Sequence, residues 1–115
     1  MKKLLLLLPL LALLAACAPP PYLYYGNTSH SYYRAVKKQD EASVAQYKAS
    51  LEKVFTRSAE MGLPVPPGLY CDYAVLLLQE DRTDEARGYF QKEMQQWTES
   101  QAMVDFLMQR YGLKP

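Results

Sequence analysis

Few side chains in this sequence are equipped for chemistry. The candidates are two cysteines, Cys17 and Cys71, the single histidine His30, and a group of acids: Asp72, Glu80, Asp81, Asp84 and Glu85. Acid–base catalysis needs a carboxyl group with a His, Ser or Lys partner at motif spacing, and no such pattern is present. Asp81, Asp84 and Glu85 stand at a helix start instead, where the helix dipole favours negative charge. His30 has no neighbouring Cys or His with which to share a metal, and CxxC pairs are absent. The acidic stretch lacks the residue order of a calcium loop, and no glycine loop could cradle a phosphate. Cys71 falls in an apolar stretch and reads as a buried, inert thiol. Cys17 differs. It closes the run Leu14-Ala15-Ala16-Cys17, after Lys2-Lys3 and an apolar stretch from Leu4, and just before Pro19-Pro20-Pro21.

That arrangement has the three parts of an export signal: basic residues, an apolar core and small residues at the cut. The apolar core is short for a membrane span, which takes roughly 20 residues. Leu14-Ala15-Ala16-Cys17 resembles the bacterial lipoprotein signal. The resemblance implies cleavage before Cys17, attack by its thiolate to take a diacylglyceryl group, and acylation of the new N-terminus. Several acyl chains give stable anchoring where one gives only marginal binding. In such proteins an Asp after the cysteine often retains them at the inner membrane; Ala18 points to the outer membrane. The alternatives are an ordinary signal peptide with an incidental cysteine, or an uncleaved anchor.

Composition narrows the function classes. Lys and Arg number 13 against 12 Asp and Glu, and two of the lysines lie before the cut. A mature chain near neutrality lacks the basic excess of a nucleic-acid binder. With Cys17 acylated, Cys71 has no partner for a disulfide in the chain. Of ten tyrosines, Tyr22, Tyr24, Tyr25, Tyr32 and Tyr33 crowd into one short stretch. Tyrosine joins a large apolar body to a polar tip. These five can pack onto the chain's own helices, rest on a membrane or contact a partner; they are the candidate partner contacts.

The expected fold is all-α: a small antiparallel helical domain after an extended N-terminal tether. The expected parts are a signal peptide at 1–16, a lipidated cysteine with a Pro/Tyr-rich tether at 17–28, and a helical domain at 29–115. Pro19-Pro20-Pro21 favours an extended spacer, and Gly26-Asn27 a turn. Ser29 to Lys38 reads as a short helix. Asp40 is placed to cap a longer one, Glu41 to Met61, whose Val44, Tyr47, Leu51, Val54 and Phe55 recur at three and four. Its Lys48 and Glu52 sit four apart and should attract; Lys53 and Arg57 should repel. Gly62 fits the position just past its end. After the stiff connector Leu63–Gly68, with Pro67 suited to a first helical turn, come a largely buried helix at Leu69–Gln79 and another at Thr83–Trp97. The latter should bury Ala86, Tyr89, Phe90, Met94 and Trp97. Thr98 and Gln101 have capping-box spacing, which predicts a last helix over Glu99–Tyr111 with Ala102, Met103, Phe106 and Leu107 facing inward, stopped by Gly112.

The two middle helices resemble a tetratricopeptide repeat. Tyr70 takes the Trp place of that pattern, Tyr73 the Leu place, Ala74 the small place and Leu77 the Tyr place, followed at matching spacing by Ala86 and Phe90. Thr98 stands at the closing Pro place. The resemblance covers about residues 67–100; an ordinary antiparallel helix hairpin is the alternative. A second copy is absent, so the flanking helices must act as caps.

Taken as a whole, the order of features resembles a family of small bacterial lipoproteins built on a domain of unknown function. It rests on the lipoprotein signal, Tyr24-Tyr25-Gly26-Asn27, Tyr32-Tyr33, the segment Val65-Pro66-Pro67-Gly68-Leu69-Tyr70, and Trp97-Thr98-Glu99-Ser100. The family usually has a tryptophan where this chain has Tyr25. The resemblance implies a gene neighbourhood with a lipoprotein similar to the curli secretion channel and a third small lipoprotein, and it attaches no activity, cofactor or catalytic residue. The expected function is therefore non-catalytic: a lipid-anchored envelope protein, held by Cys17 at the periplasmic side of the outer membrane or, alternatively, at the cell surface, serving as an interaction or assembly module for neighbouring lipoproteins. No cofactor, metal or small-molecule substrate is expected. A regulator of a cell-wall or secretion enzyme and a purely structural spacer are the alternatives.

Overall fold

Local stop and start signals divide the chain into helices. A computed structural model describes residues 22–114 and contains α1 (Thr28–Lys38), α2 (Glu41–Met61), α3 (Leu69–Gln79), α4 (Thr83–Gln96) and α5 (Gln101–Arg110). A 3₁₀ turn, Thr98–Ser100, joins the last two. The described residues contain no strand, so the domain is all-α as expected. The signal segment, Cys17 and the proline run lie outside the described residues.

The predicted punctuation is largely where it should be. The Gly26-Asn27 turn leads into α1, with φ +55° at Gly26. A Cβ there would stand 3.2 Å from the Tyr24 hydroxyl oxygen, so glycine suits both the left-handed turn and the tyrosine over it. Asp40 caps α2: its Oδ1 accepts the Ser43 amide at 2.8 Å. Gly62 ends α2 in the left-handed region, and the Leu63 amide donates back to Ser58 O at 2.9 Å. Pro67 remains just outside α3, which follows Gly68. Asp81 does for α3 what a glycine usually does: φ is +59°, and the Arg82 amide closes onto Leu77 O at 2.9 Å.

Helices α3 and α4 form an antiparallel hairpin across the short link Glu80–Arg82. Ala74 and Ala86 are fully buried between them, and Phe90 and Leu77 fill the remaining space. Burying a side chain of Phe90's size contributes roughly 2–3 kcal/mol. Helix α2 adds a stripe, Tyr47, Leu51 and Val54, at helical spacing, and α5 contributes Val104. Helix α1 leans mainly on α2.

Three expectations are corrected. The capping box at Thr98 does not form: residues 98–100 are a 3₁₀ turn without a side-chain cap, and Gln101 Nε2 donates to Asp105 Oδ1 instead. A 3₁₀ turn advances about 120° per residue against 100° in an α-helix, so three such residues rotate the next helix by roughly 60°. The inward face of α5 is accordingly Val104, Leu107 and Met108, while Ala102, Met103 and Phe106 face outward. Lys48 does not pair with Glu52. It reaches across to Glu80 at 2.8 Å, and Glu52 accepts the Tyr73 hydroxyl at 3.2 Å. Arg57 pairs with Glu60 at 2.9 Å.

Candidate functional site

The hairpin carries two part- or fully buried carboxyl groups, and their surroundings differ. Glu93 of α4 is fully buried. Its Oε1 accepts the Gly68 amide and the Ser100 hydroxyl, each at 2.8 Å. Oε2 is buried with no partner among the described residues. Close by, the Val65 amide donates to Gln96 Oε1 at 3.1 Å, and Trp97 Nε1 donates to Val65 O at 2.7 Å. The connector before α3 and the turn after α4 are thus fastened together through the end of α4. The sequence pattern does not single out Glu93, although it follows Ala86 and Phe90 at helical spacing on the inward face.

Asp72 of α3 is half-buried on the side of the hairpin facing α1 and α2. Its Oδ2 accepts the Tyr47 hydroxyl at 2.5 Å. No Lys or Arg among the described residues forms an ion pair with it. Burial raises its carboxyl above the ordinary range despite the opposing hydrogen bond. Burial, and then Asp72 itself, push the Tyr47 phenol far above its usual value, so Tyr47 stays a donor.

Two cavities meet at Asp72, Tyr47 and Tyr32. One, about 180 Å³, is walled by Tyr25, Thr28, Ser29 and Leu69. The other, about 260 Å³, is apolar, with Val36, Val44, Val75, Leu76 and Leu107 around it. Tyr32 lies over Tyr47 with ring centroids 5.4 Å apart, yet half its surface is open. A larger hollow of about 580 Å³ between α2 and α3 is bordered by Lys48 and Glu80, which satisfy each other.

The predicted contact tyrosines fall into two groups. Tyr22, Tyr25, Tyr32 and Tyr33 are exposed; Tyr24 is half-buried over Gly26. Only Tyr25 and Tyr32 share the cleft with Asp72. A second aromatic group, Phe55, Tyr70, Tyr73 and Tyr89, knits α2, α3 and α4 on the other side of α3, with Lys92 Nζ 4.6 Å from the Tyr89 ring centre. Burial, then Glu52, push the Tyr73 phenol up to about 12.

Of the remaining chemical candidates, His30 is exposed on α1. Cys71 is fully buried, and burial, then Glu93 and Asp72, push its thiol up to about 12. Asp84 and Glu85 occupy the first turn of α4, and Glu85 pairs with Arg82. Among the described residues no three His, Cys, Asp or Glu side chains gather as a metal site, and no helix is long and apolar enough to cross a membrane.

Fold and cleft together define a small all-α domain built on a helical hairpin, with an aromatic-walled cleft holding one carboxyl group that lacks a counter-charge among the described residues. The chain belongs to the family described as a domain of unknown function, DUF4810, whose profile matches residues 22–107. No curated protein and no solved structure matches it.

Proposed function

We propose that the protein is a non-catalytic, lipid-anchored envelope protein of bacteria, held at the outer membrane through Cys17, and that it serves as an interaction or assembly module for neighbouring lipoproteins. The observation that carries this reading is the placement of exposed Tyr22, Tyr25, Tyr32 and Tyr33 in the stretch following the lipoprotein signal. Large amphipathic side chains left open, two of them beside a cleft, are the composition of a contact surface. The hairpin agrees with a tetratricopeptide-like scaffold: Ala74, Ala86 and Phe90, the small and aromatic positions of that pattern, are its buried centre.

Two experiments test the two halves of the reading. Replacing Cys17 with Ser should move the protein out of the membrane fraction; unchanged retention defeats the lipid anchor. Crosslinking in cells, followed by capture from detergent extracts, should recover co-encoded envelope lipoproteins. Recovery of this chain alone defeats the module. A structural spacer would keep its role after deletion of residues 22–33, whereas a tyrosine-based contact would not.

A further inference from the structure

We propose that the cleft between α1 and α3 is a receptor for a basic side chain of a partner protein, an arginine or lysine beside an apolar residue, with Asp72 as its anionic end and Tyr25, Tyr32 and Tyr47 as its walls. This deepens the interaction-module reading and rests on it.

The first support is the charge pattern. Among the described residues only two carboxyl groups are not exposed, Asp72 and Glu93, and Glu93 has two hydrogen-bond donors. Asp72 has one phenol and no cation among the described residues. A partly desolvated carboxylate without a counter-charge is costly to the fold, and burial shifts its protonation in the corresponding direction. A guanidinium or ammonium group entering the cleft would offset that cost with a charge-assisted hydrogen bond.

The second support is the shape. Asp72 lies where the two cavities join. On one side, the partly open rings of Tyr25 and Tyr32 offer faces to a cation and its methylene stem. On the other, the cavity bounded by Val36, Val44, Val75 and Leu76 takes an apolar neighbour. A peptide segment presents those two groups side by side. A phospholipid amine brings a phosphate to the same carboxylate, which charge repulsion opposes.

The test uses the full acylated chain in detergent micelles, isotope-labelled for NMR, titrated with two probes: acetyl-Leu-Arg-Leu-amide and its neutral analogue with citrulline for arginine. The arginine peptide should bind about tenfold more tightly, with shifts centred on Tyr25, Tyr32 and Asp72. Asp72→Asn preserves an acceptor for Tyr47 and should reduce the preference to less than about twofold. Tyr32→Ser, on an exposed face, should weaken the arginine peptide several-fold. Equal binding of the two peptides, no binding of either, or an undiminished preference in Asp72→Asn would overturn the proposal. Displacement of the arginine peptide by a short-chain phosphatidylethanolamine would overturn it in favour of a lipid amine. If envelope lipoproteins are still captured in cells while the arginine preference is absent, the cleft assignment fails and the module stands. If nothing is captured, the module itself fails.

Discussion

Glu93 and Asp72 lie on neighbouring helices of one hairpin, yet the chain treats them in opposite ways. Around Glu93 the protein brings donors from two separate segments, Gly68 and Ser100, and excludes water. Around Asp72 it supplies a single phenol and leaves two cavities open. The first carboxyl group answers a need of the fold: orphaned backbone and hydroxyl donors must find acceptors when buried. The second meets that need for one donor, the hydroxyl of buried Tyr47, and otherwise faces the open cleft. The difference separates the part of the molecule that holds itself together from the part that faces outward, and it makes the two regions respond differently to the same kind of change.

The sharpest way to break that contrast is to truncate Glu93. Glu93→Ala should lower stability by about 3 kcal/mol in urea unfolding, because two buried donors lose their acceptor; a cost no greater than that of Asp72→Ala would erase the distinction. Alkaline pH comes next. The folded chain holds the Cys71 proton up to about 12, whereas an unfolded cysteine releases it near 8.5. Stability from this group is therefore complete below about pH 8.5 and lost as pH climbs toward 12. Between pH 8 and pH 10 the wild type should lose about 1–2 kcal/mol more than Cys71→Ala, read from urea midpoints. Trp97→Phe, which removes the donor to Val65 O, should cost about 1 kcal/mol and loosen amide-exchange protection at residues 63–68. The smallest effect has the opposite sign. Burial raises the Asp72 carboxyl, so its favourable contribution is complete below the unfolded value near 4 and declines as pH rises through the folded one. Asp72→Asn should raise the melting temperature by roughly 2–5 °C at pH 7, and the gain should vanish at pH 3.5.

Much of the fold was legible because its boundaries rest on local chemistry. Asp40 needs only the Ser43 amide three residues on, and Gly62 and Gly68 sit at positive φ where the sequence suggested breaks. Cys71 was readable as buried from the apolar residues around it. The face of α5 was not readable, since a three-residue change of helix type upstream decides it, and that turn is held by Ser100 reaching Glu93. Sequence spacing points Lys48 to its helical neighbour because it cannot see Glu80 arriving from the end of α3. Of the candidate site, the sequence marks Tyr25 and Tyr32 as contacts, and Asp72 only as one acid among several. Its place in the cleft depends on how α1 and α2 lie against α3, which no local pattern encodes. Glu93 did leave a trace: a charged residue in register with Ala86 and Phe90.

The fastened connector also has a consequence for how copies of this chain behave when crowded. Helical domains joined by a free hinge can exchange an element with a neighbour, each chain completing the other's core. Here the hinge between α2 and α3 contains Pro64, Pro66 and Pro67, and it is tied to Gln96, Trp97 and Glu93 at Val65 and Gly68. Swinging α2 outward together with the connector would break these ties. The ties therefore oppose the exchange of α2 between copies of the domain.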